Sequence, residues 1–290
     1  MADSDDSDTE AGTIDWNSLS SNLSPDVFAA LQKHLVGGKE EQSVNAVIDF
    51  VTTKDDVKVV ETSKPAVNNA VFKEQGYWED RFTEETEYDW LLSYEQLRTH
   101  LIPLLNVSDR ILIVGCGNSR LSAGLYDAGF LNIVNIDFSA TVIERMKKTH
   151  LEERPQMQWI TMDMTDMSFE TAAFDVVIDK ASMDALMVDE GDVWDPKQAT
   201  IDITDKMCKG ITKVLVPQTG KFIQLSFAQP HFRTKYLMGS HMEEGSDSEA
   251  VISKYGSCTG HCNRYGWTLS YSIINTEAGC LNSFLYVMTL

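Results

Sequence analysis

The stretch Arg110–Phe130, RILIVGCGNSRLSAGLYDAGF, decides the fold class of this chain. The branched apolar run Ile111–Val114 precedes Gly-Cys-Gly at 115–117, and a helical pattern begins at Leu121. A short apolar run that ends at glycine predicts a strand buried on both faces. Two glycines one residue apart let the backbone bend sharply and approach a ligand without a Cβ collision. The stretch therefore predicts a buried strand, a ligand-binding turn and a helix.

The same alternation continues along the chain. Apolar runs predict strands at Arg110–Cys116, Asn132–Ile136, Met157–Met162, Phe174–Ile178, 221–228, 266–275 and 283–290. Helical spacing predicts helices over Leu121–Ala128, after a cap at Ser139, and from Pro196 onward. The last two strands are joined by a short Gly-containing loop, which predicts an antiparallel pair. We therefore expect an α/β fold: a doubly wound, seven-stranded Rossmann-like sheet with an antiparallel C-terminal hairpin.

Composition divides the 290 residues into three regions. Residues 1–22 form an acidic tail with too little apolar surface to order itself. Residues 23–70 carry a modest helical pattern, which indicates an accessory helical segment and linker. Residues 71–290 read as the α/β domain, interrupted by an acidic insertion at about 238–260.

The formal net charge of −20 argues against direct nucleic-acid binding, because phosphates would be repelled. An acidic surface suits a basic partner, although it also serves solubility alone. Five cysteines, an odd number, favour a reducing compartment over a disulfide framework. The acidic first residues predict no secretory leader, and no apolar run approaches the length of a membrane span. We expect a cytoplasmic monomer that does not contact membranes.

Acidic residues at two further strand ends indicate the ligand. Asp137 follows Gly117 by twenty residues, the interval at which a carboxylate binds ribose hydroxyls in this architecture. Asp163 follows the third strand and is placed to reach the amine of an adenine ring. A dinucleotide fingerprint needs a third glycine where Arg120 stands, and no phosphate-loop motif occurs. S-adenosylmethionine is therefore the candidate ligand; the alternative is that these acids only solvate strand ends or cap helices.

Several motifs resemble a known family. The segments YWEDRF (77–82), ILIVGCGNSRLS (111–122), VNIDFS (134–139) and FDVVIDKASMDAL (174–186) resemble the seven-strand S-adenosylmethionine-dependent methyltransferases that modify lysines of translation elongation factor 1-alpha. The branch associated with endothelin-converting enzyme 2 is the most similar. The resemblance covers Gly76–Leu290 and implies methylation of a lysine of that elongation factor. It also implies cofactor-pocket residues: Trp78, Phe82, Trp90, Gly115, Gly117, Asp137, Phe138, Asp163, Met164 and Lys180.

The resemblance gives most of these residues a specific role. It places Gly115 and Gly117 on the methionine side of the cofactor and Asp137 on the ribose. Phe138 would pack against the adenine face. The adenine amine would meet Asp163, and its ring would pack on Met164.

The remaining pocket residues have competing interpretations. The resemblance implies that Trp78 and Trp90 close over the cofactor, whereas spacing alone favours ordinary core aromatics. Phe82 stands where the family has tyrosine, which removes a hydroxyl contact. Lys180 matches a cofactor-pocket position, but it is also spaced to pair with Asp184 as a surface ion pair.

Methyl transfer to lysine requires a neutral amine, and the reference pKa of lysine is about 10.4. Apolar walls lower that value by desolvation, and Asp184 is a candidate to orient the amine or accept its proton through water. We predict no catalytic nucleophile and no metal, because CTGHC at 258–262 lacks a second pair of ligands. Two alternatives remain: a methyltransferase for a protein N-terminal amine or a small-molecule amine, and a non-catalytic methyltransferase-fold partner subunit.

Overall fold

The structure is a computed structural model and describes residues 69–240, 251–252, 258–261, 264–274 and 282–290. The predicted acidic tail and nearly all of the predicted accessory segment lie outside the described residues, as does most of the predicted insertion. Within the described ranges, no helix is both long enough and apolar enough to cross a membrane.

The described strands form one mixed sheet. They are β1 (Ile111–Val114), β2 (Ile133–Asp137), β3 (Gln158–Thr161), β4 (Val176–Lys180), β5 (Lys221–Ser226), β6 (Val251–Ile252), β7 (Cys258–His261), β8 (Thr268–Ile274) and β9 (Ser283–Thr289). Their order across the sheet is β3-β2-β1-β4-β5-β9-β8-β7-β6. Strands β1 to β5 are parallel, whereas β9 runs antiparallel to both β5 and β8.

Helices cover both faces of this sheet. They are α1 (Gln75–Glu84), α2 (Tyr94–Leu101), α3 (Leu121–Asp127), α4 (Ala140–His150), α5 (Ser182–Leu186), α6 (Gln198–Val214) and α7 (Pro230–Leu237). Two short 3-10 helices, Asn69–Lys73 and Ile102–Leu104, flank the first two helices.

Strand β1 shows why the fold is doubly wound. All of its residues are buried, and successive side chains point to opposite faces of the sheet. Ile111 and Ile113 join the core that contains residues of α1 to α4, whereas Leu112 and Val114 join the core that contains residues of α6 and α7. The continuous apolar run is therefore the signature of a strand with a core on each side.

The predicted fold class is confirmed, and each predicted strand is present with small shifts at its ends. The fourth strand ends at Lys180, two residues later than predicted, so Lys180 belongs to the strand. The predicted cap at Ser139 is confirmed, since Ser139 accepts a hydrogen bond from Val142 at the start of α4. The helix predicted from Pro196 begins two residues later, at Gln198, so Pro196 is not its first residue. Gly129 follows the end of α3 with a positive φ of 102°. Strands β6 and β7 add two short strands in the region predicted as an insertion, and α1, α2, α5 and α7 were not predicted.

Candidate functional site

A cavity of about 500 Å³ lies at the carboxyl ends of β1, β2 and β4, the edge at which doubly wound sheets bind ligands. Its lining includes each residue predicted for the cofactor pocket: Trp78, Phe82, Trp90, Gly115, Gly117, Asp137, Phe138, Asp163, Met164 and Lys180. The structure therefore brings the predicted set together around one space, and the role of each residue stays a prediction.

The glycine turn after β1 adopts a backbone that other residues rarely take. Gly115 and Gly117 have φ of 55° and 51°, in the left-handed region. The backbone of the turn lies on the cavity because neither residue carries a side chain. Behind Gly115, the Ser182 hydroxyl donates to the carbonyls of Val114 and Gly115 at 3.0 Å and fills the space a Cβ would need.

Asp137 ends β2 and faces this turn. Its Oδ2 accepts a hydrogen bond from the Gly117 amide at 3.0 Å, and its Oδ1 accepts one from the Ser139 amide at 2.9 Å. Burial raises the pKa of Asp137 to about 6, although these two amide hydrogen bonds oppose the rise. The carboxylate is thus fixed in position, and each oxygen keeps lone pairs for a ligand.

The segment after β3 lines the cavity next to the end of β2. Asp163 is exposed, and its Oδ1 accepts a hydrogen bond from the Thr165 amide at 2.7 Å. That bond closes a local turn and presents Met164, which is half-buried, to the cavity. At the end of the neighbouring strand β2, the Phe138 carbonyl accepts a hydrogen bond from the Gln75 amide side chain at 2.7 Å, which ties α1 to this strand end.

A buried cation organises the aromatic residues over the cavity. The Arg81 guanidinium lies 5.6, 5.3 and 5.1 Å from the ring centroids of Trp78, Tyr88 and Trp90. Its charge is balanced by Glu85, at 2.7 Å, and both side chains are about 10% exposed or less. Trp78 and Trp90 thus pack in the core and also form part of the cavity wall. The two interpretations offered by the sequence, core aromatics and residues that close over the cofactor, are therefore compatible.

Phe82 packs onto the glycine turn. A Cβ added to Gly117 would lie 3.6 Å from the Phe82 ring, an ordinary van der Waals distance. The ring is 3% exposed and stacks on Trp78. It therefore closes the turn with apolar surface, where the family pattern would place a hydroxyl.

Lys180 is buried in the wall of the cavity. Its Nζ donates to Asp89 Oδ1 at 3.0 Å and to the Trp90 carbonyl at 2.9 Å, and its side chain is 6% exposed. The alternative of a surface pair with Asp184 is therefore wrong. Burial lowers the pKa of Lys180, and the neighbouring Asp89 only partly offsets this.

Asp184, predicted to orient the acceptor amine, does not line this cavity. Its Oδ1 accepts hydrogen bonds from the Ser226 hydroxyl at 2.6 Å and from Arg233 Nη2 at 2.5 Å. It borders a second cavity of about 270 Å³ on the other side of α5. Sequence spacing places Asp184 one helical turn from Lys180, but α5 turns its side chain toward α7, a partner remote in the sequence.

Ion pairs cross the mouth of the main cavity. Asp189 Oδ2 lies 2.9 Å from the Lys73 ammonium, and Asp189 Oδ1 lies 2.5 Å from the Lys197 ammonium. These hydrogen bonds, that from Lys197 foremost, lower the pKa of Asp189 to about 2. The first 3-10 helix is thereby joined to the loop that follows α5, and all three residues line the cavity.

Glu79 is a site residue that the sequence did not reveal. Its carboxylate accepts hydrogen bonds from the Ser139 hydroxyl at 2.8 Å and from the Ala140 and Thr141 amides at 2.9 and 3.1 Å. Burial opposes its ionisation, but these bonds together lower the pKa of Glu79 to about 2. The Glu79 carboxylate binds the N-terminus of α4 and so holds α1 next to Asp137. In the sequence, Glu79 is visible only as an acidic residue within YWEDRF.

Metal ligands were considered in the sequence only at CTGHC. Those side chains lie outside the described residues. Within the part of the chain that the structure describes, no group of three or more His, Cys, Asp or Glu side chains could hold a metal ion.

Comparison with known proteins identifies the family. Residues 111–195 match the family model described as a methyltransferase domain. The EEF1A lysine methyltransferase 4 of Bos taurus is 35% identical over 176 residues, which cover 60% of this chain and 68% of that protein. This chain belongs to the EEF1A lysine methyltransferase family. It is therefore a methyltransferase of the class that depends on S-adenosylmethionine, as the motif resemblance implied.

Other matches cover less of the matched protein or are more distant. The eEF1A lysine and N-terminal methyltransferase of Homo sapiens is 37% identical over 58% of this chain, but the match spans only 23% of that larger protein. A solved S-adenosylmethionine-dependent methyltransferase from Methanosarcina mazei is 16% identical, with a TM-score of 0.43 over 66% of this chain and 96% of that one.

Proposed function

We propose that this methyltransferase transfers methyl groups from S-adenosylmethionine to a lysine of translation elongation factor 1-alpha. The observation that carries the proposal is the buried Asp137 carboxylate, held against the glycine turn inside a cavity of about 500 Å³. A cavity of this size is typical of sites for ligands as large as a nucleoside. The substrate follows from the names of the relatives, which are EEF1A lysine methyltransferases.

The chain offers a partner for each part of the cofactor. Gly115 and Gly117 expose backbone for the methionine part, because no Cβ stands between the turn and the cavity. Asp137 would accept hydrogen bonds from the ribose hydroxyls. Asp163 would bind the adenine amine, and Phe138 would pack on the adenine ring.

The cofactor supplies an electrophilic methyl group on a sulfonium. An amine that receives this methyl would displace a neutral thioether and afterwards release a proton, so it must arrive with its lone pair free. The wall of this cavity favours that state, because burial lowers the pKa of Lys180, a lysine that lines it. An acceptor lysine beside the same aromatic residues is desolvated in the same way. Positioning by these walls then supplies most of the acceleration.

Cofactor affinity is expected to weaken in mild acid. Asp137 has a pKa of about 6 in the free protein, so below pH 6 the carboxyl is protonated and must lose its proton to accept two ribose hydroxyls. The dissociation constant should be about tenfold larger at pH 5 than at pH 7.5, measured by calorimetry. Asp175 is a suitable control, because its carboxylate binds Arg110 at the opposite edge of the sheet and does not line the cavity. An Asp175→Asn variant should keep the pH dependence; a flat profile in the unmodified chain would contradict the ribose role.

Mass spectrometry tests the proposed activity directly. The purified chain is incubated with S-adenosylmethionine and elongation factor 1-alpha taken from cells that lack this enzyme, and tryptic peptides are searched for added methyl groups. Methylated lysine in the complete reaction, and none with an Asp137→Asn variant, is the expected result. An unmethylated factor would overturn the proposal.

A protein N-terminal amine is the second candidate acceptor. One relative is named an eEF1A lysine and N-terminal methyltransferase, although this chain matches only 23% of it. The same spectra separate the two acceptors, because a methyl on the α-amine stays with the N-terminal peptide.

For the chain itself we propose a cytoplasmic monomer, which the acidic composition and the translation-factor substrate support. Fractionation and size-exclusion chromatography test these two points.

A further inference from the structure

An exposed tryptophan stands beside the site on a short, ordered turn. Trp194 is 68% exposed, the largest value among the large apolar side chains described. A bridge between Gly191 and Pro196 closes the turn, and Asp192 Oδ1 accepts a hydrogen bond from the Trp194 amide at 2.9 Å. The local backbone thus holds the indole in solvent, where it contributes little to the core. An exposed apolar side chain points to an interaction site where it belongs to a contiguous apolar patch.

Further aromatic surface continues from this ring to the second cavity. The Trp194 and Phe232 centroids are 5.2 Å apart, and Phe232 lines the cavity of about 270 Å³. Phe227, 53% exposed, lines the same cavity. We call these three residues, together with Glu190 and Tyr236 of the cavity wall, the Trp194 surface.

The Trp194 surface carries negative charge and already accommodates a cation. The Lys235 ammonium lies 5.2 Å from the Trp194 ring centroid, within the range of a cation–π contact. In the cavity wall, Glu190 accepts a hydrogen bond from the Tyr236 hydroxyl at 3.0 Å and forms no ion pair with a described residue. Asp184 and Arg233 are paired at 2.5 Å and balance each other. Glu190 therefore supplies the net charge of this cavity.

The Trp194 surface is continuous with the main cavity through one loop. Asp189 lines the main cavity, and the next residue, Glu190, lines the second. Residues 189–194 thus lead from the main cavity to Trp194, and a substrate segment that lies along them would reach the indole. The side chains of that segment would meet aromatic rings and carboxylates.

We propose that the Trp194 surface docks the basic segment of the protein substrate that flanks the methylated lysine. Trp194 packs against that segment, and Glu190 in the second cavity pairs with a neighbouring lysine or arginine. Aromatic surface combined with uncompensated carboxylate is complementary to cationic side chains, whose stems are apolar. This inference rests on the proposed lysine methylation and names the part of the chain that selects the substrate.

Substituting Trp194 tests the docking role. With elongation factor 1-alpha as substrate, Trp194→Ala should raise KM by roughly tenfold or more, because tryptophan anchors dominate such interfaces. The value of kcat and the dissociation constant for S-adenosylmethionine should stay within about twofold, since the indole does not line the main cavity. Leu151→Ala is the matched control, because Leu151 is 62% exposed at the end of α4, and it should leave KM unchanged.

Glu190→Gln probes the charge separately. The amide oxygen still accepts the Tyr236 hydrogen bond, so the fold is kept while the negative charge is lost. KM should rise and depend less on ionic strength than in the unmodified chain. An unchanged KM in both variants overturns the docking surface and leaves the proposed function standing. If the unmodified chain fails to methylate the factor, the proposed function is overturned, and the docking proposal falls with it.

Discussion

Asp137→Asn is expected to weaken S-adenosylmethionine binding by at least about a hundredfold, or roughly 3 kcal/mol. Two losses combine. An asparagine offers one acceptor oxygen, so either the Gly117 or the Ser139 amide must face an NH₂ group. The ribose hydroxyls also lose a charged acceptor, and hydrogen bonds to charged groups contribute about 1.5–3 kcal/mol each.

The same substitution should not unfold the protein. Burial raises the pKa of Asp137 to about 6, which means that its charged form is less favourable in the folded chain than in the unfolded chain. Asparagine removes that buried charge, and this gain in stability offsets part of the stability lost with one amide hydrogen bond. We therefore expect a melting temperature close to that of the unmodified chain, so the loss of affinity reflects the site itself.

Calorimetric titration of the cofactor measures the effect. Asp175→Asn is the matched control: this carboxylate adjoins a strand of the sheet as Asp137 does, but it precedes β4 and binds Arg110 at the opposite, amino-terminal edge. Its affinity for the cofactor should stay within about twofold of the unmodified value. If Asp137→Asn binds the cofactor as tightly as the control does, the proposed contact of Asp137 with the ribose is wrong.

Features that depend on residues close together in the sequence were predicted correctly, whereas contacts between residues far apart in the sequence were not. The strand, turn and helix at 110–130 were predictable because each depends on neighbours in the chain: apolar runs, glycines and caps. Asp137 was also predictable, since the fold fixes the interval between the first turn and the end of the second strand. Residue types at these positions determine backbone geometry directly.

Contacts between remote segments were beyond such reasoning. Helical spacing offered Asp184 as a partner for Lys180, as the alternative to a place in the cofactor pocket, but the structure pairs Lys180 with Asp89, ninety-one positions away. Asp184 instead meets Arg233, forty-nine positions away. The role of Arg81 among the aromatic rings was equally hidden, because nothing in YWEDRF indicates that a cation lies beneath the tryptophans. Only packing brings these groups together.

Gly115→Ala is expected to lower the free energy of unfolding by about 2–5 kcal/mol and to abolish cofactor binding. Two effects add. An alanine held at a φ of 55° is in the left-handed conformation, which costs about 1–2 kcal/mol for a residue with a Cβ. Its Cβ would also lie 2.6 Å from the Ser182 Cβ, which forces a displacement in a packed region. Ser182 cannot retreat easily, because its amide donates to Asp179 at 2.8 Å and its hydroxyl to two carbonyls at 3.0 Å.

Gly117→Ala separates the two effects. Its φ of 51° is nearly the same, but an added Cβ would approach only the Phe82 ring, at 3.6 Å. Denaturant unfolding without cofactor should therefore show a loss of about 1–2 kcal/mol for Gly117→Ala and a distinctly larger loss for Gly115→Ala. Gly76→Ala, where the new Cβ meets nothing within 4 Å and φ is not positive, should not destabilise the chain. Equal losses of unfolding free energy at 115 and 117 would mean that Ser182 moves aside at little cost. The cost of Gly115→Ala would then come from the left-handed backbone conformation alone.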